Sequence, residues 1–177
     1  MKKISKVIAE QNIKKGKWNK RKTVRGIIIK DDSCLLVYSK MFDDYMFPGG
    51  GIKKKESKKN ALARELKEEL GALKIKIKKP FGYIKEKRYS SKSDHLKIIQ
   101  TSYYYICDIL EFGNQNLEYV ETIYGVKPIW IKIEEAIKHL EKIKDNQIHS
   151  KKGIRTVMIR ELIVLNKLLK RGKNESI

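Results

Sequence analysis

The hydrophobic positions of the chain change their period several times, and each change marks a predicted element. Apolar, β-branched runs at 23–30 and 34–40 are separated by three polar residues, which predicts a β-hairpin. From 58–70 the apolar residues recur at helical spacing. Ser57 is placed as the N-cap of this helix and Gly71 as its C-cap.

The second part of the chain predicts four more strands and two more helices. The predicted strands lie at 73–79, 81–89, 96–110 and 128–133, with a polar loop at 90–95. The predicted helices lie at 134–144 and 154–170. Strands and helices mix without a regular βαβ alternation, so the pattern favours an α/β protein of the α+β kind, a mixed sheet with helices packed on it.

The length of 177 residues is typical of one domain with a sizeable core. We divide the chain into a basic lead-in, 1–22, and a single domain, 23–177. No apolar run reaches the 18 or more residues of a membrane span, and no apolar block follows the charged start, so we expect neither membrane insertion nor a signal peptide. Cys34 and Cys107 lie inside apolar runs, which predicts buried free thiols in a cytoplasmic protein.

The net charge of +20 allows two interpretations. One is a nucleic-acid-binding surface. The other is compositional, because Lys outnumbers Arg by 34 to 7, whereas phosphate-binding patches rely more on the forked guanidinium of Arg. We favour the second, and expect a basic surface that binds nucleic acid only weakly.

Three acids of the predicted helix, Glu65, Glu68 and Glu69, share one side because they lie at i, i+3 and i+4. Such like-charge pairs repel by roughly 0.2–0.5 kcal/mol each, and Lys67 points away from them. An ordinary solvated face is the alternative, but the repulsion favours a counter-charge from outside the chain. Carboxylates without His or Cys suit Mg²⁺ or Mn²⁺.

The stretch GGIKKKESKKNALARELKEELGA, residues 50–72, resembles the Nudix box, G-x5-E-x7-R-E-U-x-E-E-x-G-U, where U is aliphatic. Two positions depart from the usual pattern, Ala72 at the last aliphatic site and Lys55 where many members have Gly. The resemblance extends over about 23–146. The matched positions are Gly50, Glu56, Arg64, Glu65, Leu66, Glu68, Glu69 and Gly71.

The resemblance implies an α/β/α sandwich that hydrolyses a nucleoside diphosphate linked to another moiety, with a divalent ion. By position, Glu65, Glu68 and Glu69 would hold the metal with the backbone carbonyl of Gly49, and Glu65, Glu68 and Arg64 would serve in catalysis. The other implied roles are an ion pair of Arg64 with a glutamate, a supporting part for Gly50 and Glu56, and a further acid outside the box, for which we choose Glu121 before Glu118.

Substrate contacts outside the box are less well marked, and the candidates are Arg25, Phe47 and Arg88. The predicted substrate is a small nucleotide derivative. Two alternatives remain open: a MutT-type nucleoside triphosphate pyrophosphatase, and a basic RNA- or ribosome-binding module on a Nudix scaffold. The sequence leaves the oligomeric state open.

Overall fold

The computed structural model describes residues 1–14, 16–90, 93–149, 151 and 153–175, and these contain eight strands and four helices. In chain order they are β1 (Ile8–Ala9), β2 (Trp18–Ile27), β3 (Ile29–Lys30), β4 (Ser33–Ser39), β5 (Asp44–Met46), α1 (Lys58–Leu70), β6 (Ala72–Ser90), β7 (Ser93–Phe112), α2 (Tyr119–Ile123), β8 (Val126–Lys132), α3 (Ile133–Ile143) and α4 (Arg155–Glu175).

The strands form two four-stranded sheets. The first has the order β1-β6-β7-β2, in which β6 and β7 are antiparallel while β1 and β2 run parallel to their neighbours. In the second, β4 is central, with β8 along one edge and β3 and β5 along the other. Both sheets are therefore mixtures of local hairpins and long-range pairings.

The predicted hairpin of 23–30 with 34–40 is wrong for most of its first strand. Residues 18–27 instead pair parallel with β7, and only Ile29 and Lys30 pair back onto β4. The two-residue β3 keeps the predicted tight turn, but β2 belongs to the other sheet. Strand β2 also begins at Trp18, inside the predicted lead-in.

The predicted strands 73–79 and 81–89 form one 19-residue strand, β6, which continues through Pro80. Its register with β7 shifts on both sides of that proline, between Ile77 and Lys79 and again between Pro80 and Gly82. These irregularities accommodate a residue that cannot donate to the ladder. The predicted loop 90–95 is shorter than expected, since β6 ends at Ser90 and β7 starts at Ser93; residues 91 and 92 lie outside the described part.

Helix α1 has the predicted bounds and caps. The Ser57 hydroxyl accepts a hydrogen bond from the Asn60 amide at 3.1 Å. At the other end Gly71 has φ 67°, and its N–H donates to the carbonyls of Leu66 and Lys67. Both caps are local. The Ser57 hydroxyl bonds to a free amide of the first turn, and Gly71, without a side chain, adopts the left-handed conformation that lets its N–H bond to carbonyls of the last turn.

Two apolar clusters lie on opposite sides of the strands. One joins α1 to β2 and β4 around Leu62 and Leu66. The other joins α3 and α4 to the strands around Phe47, Leu140 and Leu165. The predicted α/β/α sandwich is thus confirmed, with α1 on one side and α3 and α4 on the other.

The two cysteines are buried free thiols, as predicted. Burial raises the pKa of each to about 12, which keeps both protonated. Among the described residues, every helix is too short or too polar to cross a bilayer.

Asp44 of β5 provides a pH-dependent prediction, because it is a buried carboxylate whose Oδ1 has no hydrogen-bond partner among the described residues. Burial, with the charges of Glu161 and Asp43, raises its pKa to about 7 from the ordinary 3.8. A raised folded-state pKa means that stability is highest in acid and is lost as pH rises through 7. We therefore expect Asp44→Asn to be more stable than wild type at pH 8 by about 1–3 kcal/mol.

Chemical unfolding at pH 4 and pH 8 measures this difference. The two proteins should have similar stability at pH 4 and diverge at pH 8. Asp145→Asn, which removes an exposed aspartate paired with Arg155, controls for the loss of one negative charge. An Asp44→Asn variant that is less stable than wild type at both pH values would contradict the assignment.

Candidate active site

The glycine run at 49–51 lies directly against β2. The Val24 amide donates to the Gly50 carbonyl at 3.0 Å, and the Gly26 amide donates to the Pro48 carbonyl at 2.8 Å. Gly49 has φ 127°, and a Cβ added there would lie 2.3 Å from the Val24 carbonyl oxygen. Only glycine permits this backbone to approach the strand so closely.

Arg64 joins the acids of α1 to the loop before it. Its Nε donates to Glu56 at 3.0 Å, and its Nη1 donates to Glu65 at 2.8 Å and to Glu68 at 3.0 Å. Its Nη2 donates to the Gly51 carbonyl at 2.9 Å. Hydrogen bonding to Glu56, followed by the contacts with Glu65, raises the pKa of Arg64.

The expectation that the counter-charge lies outside the chain was therefore incomplete. Arg64 supplies one positive charge, and Glu56, Glu65 and Glu68 share it. The resemblance implied an ion pair of Arg64 with one glutamate; Glu68 at i+4 is within reach on the helix itself, whereas the contacts with Glu56 and Gly51 depend on the fold of the loop.

Glu69 lies behind this ion-pair group and is buried. Its Oε2 accepts a hydrogen bond from the Gly49 amide at 2.7 Å, which ties α1 to the glycine run. Burial raises the pKa of Glu69 to about 8, although the charge of Arg25 and the Gly49 N–H act in the opposite direction. Burial also raises the pKa of Glu65, against the contact with Arg64. The protein therefore does not fully compensate the negative charge that Glu65 and Glu69 carry when ionised.

Glu121 is in the first turn of α2, and its Oε2 accepts from the Glu118 amide at 2.8 Å. Burial raises the pKa of Glu121, and the negative charges of Glu118 and Glu68 add to the shift. Glu121 in turn contributes to the raised pKa of Glu69. The fold therefore brings Glu121 within electrostatic range of the acidic face of α1, while Glu118 is exposed.

The acids do not form a ready ligand cluster: in the described ranges, no three His, Cys, Asp or Glu side chains are arranged to hold a metal ion. The donors nevertheless fit a hard divalent ion, because they are carboxylate and backbone oxygens around a buried, incompletely neutralised carboxylate. No donor in the described part contacts Glu65 Oε2 or Glu68 Oε1, so each of these carboxylates has an oxygen available for coordination.

Arg25 of β2 faces the same place. Its Nη1 donates to the Phe47 carbonyl at 2.8 Å, and its charge acts on Glu65, Glu69 and Glu121. Arg25 is half-buried, and its Nε is buried with no hydrogen-bond partner among the described residues.

Arg21 was missed in the sequence analysis. It lies four residues before Arg25, hence on the same face of the strand, and a Cβ added at Gly51 would be 3.8 Å from its Nη2. The i, i+4 spacing of the two arginines did not identify it, because Arg21 lies in the predicted lead-in and the strand was predicted to begin only at position 23.

Phe47 and Arg88, the other two candidate substrate residues, are interior residues, and those predictions need correction. Phe47 is fully buried and packs edge-on against Tyr104, with ring centroids 5.8 Å apart. Arg88 is 3% exposed and donates to the Gln100 side chain at 3.1 Å and the Tyr89 carbonyl at 3.0 Å. A ligand on the surface can reach neither side chain.

Comparison with known proteins identifies the fold and the family. Over 55 residues the chain is 46% identical to an RNA pyrophosphohydrolase of Saccharophagus degradans, and over 35 residues it is 63% identical to one of Nitratiruptor sp.. These matches cover 29% and 20% of this chain, and only 32% and 23% of the two relatives.

Among solved structures, a NUDIX hydrolase from Nitrosomonas europaea superposes with a TM-score of 0.54 at 19% identity, covering 81% of this chain and 88% of that one. This likeness establishes a shared fold. The NUDIX domain model matches residues 19–152, well over half of the chain and including the whole α1 site. The chain belongs to the NUDIX family.

Proposed function

We propose that this protein hydrolyses a diphosphate linkage in a small nucleoside diphosphate derivative, by attack of water on phosphorus. The observation that carries the proposal is the acidic face of α1 docked on a glycine run, with the Glu69 carboxylate bonded to the Gly49 amide. A buried acidic face beside the backbone of a glycine run is costly for stability and suited to a metal-bound diphosphate.

Hydrolases of this family generally depend on a divalent metal ion. In this proposal the ion is Mg²⁺ or Mn²⁺, and the residues that would hold it are Glu65, Glu68 and Glu69 with the carbonyl oxygen of Gly49. When bound, the ion supplies neutralisation of the diphosphate charge and a lowered pKa of bound water.

The remaining roles belong to side chains of this chain. Arg64 holds Glu65 and Glu68 in place and is itself held by Glu56 and Gly51. Arg25 and Arg21 bind the phosphates from β2, while the acids lie on α1, since guanidinium groups pair with two phosphate oxygens at once.

Glu121 approaches from α2, and its carboxylate completes the acidic site or accepts a proton from the attacking water.

RNA is a second candidate substrate, because a lysine-lined groove lies beside the site. The two relatives named RNA pyrophosphohydrolase motivate the same test. The groove has a volume of about 540 Å³ and includes five lysines against one acid, Glu56, which is already paired with Arg64. Those lysines are Lys20, Lys22, Lys53, Lys55 and Lys58. A phosphodiester chain leaving the site could follow this groove, since clustered lysines neutralise successive phosphates.

The test is the turnover of a substrate panel at about 0.15 M salt, where the Debye length is roughly 8 Å and diffuse attraction is screened. The panel contains nucleoside diphosphate derivatives, nucleoside triphosphates and RNA with a 5′-triphosphate. Faster release of a nucleoside monophosphate from the diphosphate derivatives is the expected result. Faster removal of phosphate from the RNA end would favour the second candidate.

A charge reversal in the groove separates the two substrates further. Lys53→Glu combined with Lys55→Glu should lower kcat/KM for 5′-triphosphate RNA by about tenfold or more if RNA occupies the groove, because two phosphate contacts become repulsive. The same variant should leave kcat/KM for small substrates within about threefold. Lys138→Glu combined with Lys142→Glu, both on the exposed surface of α3, is the matched control because it reverses the same number of charges. Equal losses for both substrate classes would exclude the groove as an RNA site.

A further inference from the structure

Helix α4, which begins after the segment matched by the family model, places two opposite charges in the interior. Arg160 and Glu161 are each 1% exposed, and the Arg160 Nε donates to Glu161 Oε1 at 3.0 Å. The Arg160 Nη1 also donates to Glu86 Oε2 on β6 at 2.9 Å, and Glu86 is fully buried. The helix is thereby joined to the first sheet by charged groups rather than by apolar side chains alone.

Such a group needs an explanation, because burying ions costs more free energy than their attraction usually returns. Apolar residues of similar size would hold α4 on the sheet at least as well. A buried charged pair is useful where one of its atoms must also hydrogen-bond a backbone group elsewhere in the fold. The second carboxylate oxygen of Glu161, Oε2, makes such a hydrogen bond.

Glu161 Oε2 accepts a hydrogen bond from the Phe47 amide, with a nitrogen–oxygen distance of 3.4 Å. The carbonyl of the same residue, Phe47, accepts from Arg25 Nη1 at 2.8 Å. Two residues later, the Gly49 amide donates to Glu69 at 2.7 Å. The backbone from Phe47 to Gly49 is therefore held by Glu161 at one end and by Glu69 at the other.

We propose that Glu161 is a positioning residue: it fixes the Phe47–Gly49 backbone, and through it the orientation of Arg25 and of the Gly49 carbonyl. Arg160, which is itself held by Glu86, donates to Glu161 Oε1 and so orients the carboxylate. This inference rests on the proposed function, since Arg25 and Gly49 matter because they contact phosphate and metal. In this proposal Phe47 contributes to the site through its backbone N–H and carbonyl rather than through its buried ring.

Two substitutions at Glu161 test whether the hydrogen-bond acceptor of this side chain is what matters. Glu161→Gln keeps a side-chain oxygen that can accept from the Phe47 amide, whereas Glu161→Leu removes every acceptor at similar volume. Asn166→Leu is the matched control on the same helix, because the Asn166 side chain donates to Leu162 of α4 itself.

We expect Glu161→Leu to raise both the KM and the Mn²⁺ concentration for half-maximal activity by about tenfold, the range found for groups that orient metal ligands. Glu161→Gln and Asn166→Leu should stay within about threefold of wild type. A residue that only stabilises the fold would lower the active fraction, and therefore the apparent kcat, without changing either concentration dependence. Unchanged KM and metal dependence in a folded Glu161→Leu would overturn the inference.

Hydrogen exchange gives a readout that needs neither substrate nor metal. The amides of Phe47 and Gly49, on either side of Pro48, which has no N–H, should exchange at least about tenfold faster in Glu161→Leu than in Glu161→Gln, because an amide exchanges once its hydrogen bond opens. If wild type shows no hydrolase activity but this difference is present, the proposed function fails while the positioning role stands. Equal exchange in the two variants would overturn the positioning role itself.

If Glu161→Leu does not fold, the double variant Arg160→Met/Glu161→Leu takes its place in every measurement. It replaces the buried pair by apolar groups, a change that proteins often tolerate, and the buried Glu86 keeps its contacts with Gln100 and Arg88. The same two outcomes apply: faster exchange at Phe47 and Gly49 with a raised KM supports the inference, and wild-type behaviour contradicts it.

Discussion

Replacing Glu69 with Gln is expected to reduce kcat for the proposed diphosphate substrate by at least about two orders of magnitude, because the carboxylate that we propose as a metal ligand loses its charge. Folding should survive, since the Gln side-chain oxygen can still accept from the Gly49 amide. The stability of the variant relative to wild type should increase as pH rises: the Glu69 pKa of about 8 lies above the ordinary 4.5, so wild type loses stability as pH rises from about 4.5 through 8 and the variant does not. Steady-state kinetics and thermal unfolding at pH 7 and pH 9 measure both effects.

Glu68→Gln should behave similarly in kinetics, since we assign Glu68 to the same ion. Glu111→Gln, an exposed acid of β7 far along the chain from α1, is the control for losing one negative charge. Near-wild-type turnover in Glu69→Gln would sink the assignment of the α1 acids.

Replacing Gly49 with Ala should damage both the fold and the activity. The backbone there has φ 127°, and the added Cβ would meet the Val24 carbonyl oxygen at 2.3 Å, where neither side is a flexible side chain. We expect the free energy of unfolding to fall by about 2–4 kcal/mol. Because Gly49 also donates to Glu69, the folded fraction should lose activity as well. Denaturant titration and activity per folded molecule measure the two losses.

Gly172→Ala is the matched control, because a Cβ at this position of α4 would meet nothing within 4 Å. Helix propensity predicts that it stabilises the protein by about 0.5–1 kcal/mol. A Gly49→Ala variant as stable and active as Gly172→Ala would show that the glycine run does not require its close approach to β2.

The local parts of this site could be predicted from the sequence because they depend on spacing along one element. The bounds of α1, its caps at Ser57 and Gly71, and the shared face of its acids all follow from helical periodicity. The partner of β2 could not be predicted in the same way. Its apolar pattern is equally compatible with a hairpin to the next strand and with parallel pairing to β7, 79 positions further along the chain.

The burial of charged side chains was the other feature that could not be predicted from the sequence. Arg88 and Arg160 look like surface residues in so basic a chain, and only the packing of α4 on the first sheet makes them interior. Phe47 was chosen for its place beside the glycine run, and the structure shows its ring in the core and its backbone, rather than its side chain, at the site. The choice of Glu121 required the position of the segment before β8, which no local sequence pattern determines.

Hydrolysis in ¹⁸O-labelled water, with and without Mg²⁺ or Mn²⁺, tests the central claim most directly. Wild-type protein is incubated with a nucleoside diphosphate derivative, and the products are analysed by mass spectrometry. We predict one ¹⁸O atom in a phosphate of the released products, only when the metal is present and not with Glu69→Gln. Turnover that needs no divalent ion, or that persists unchanged in Glu69→Gln, would contradict the account.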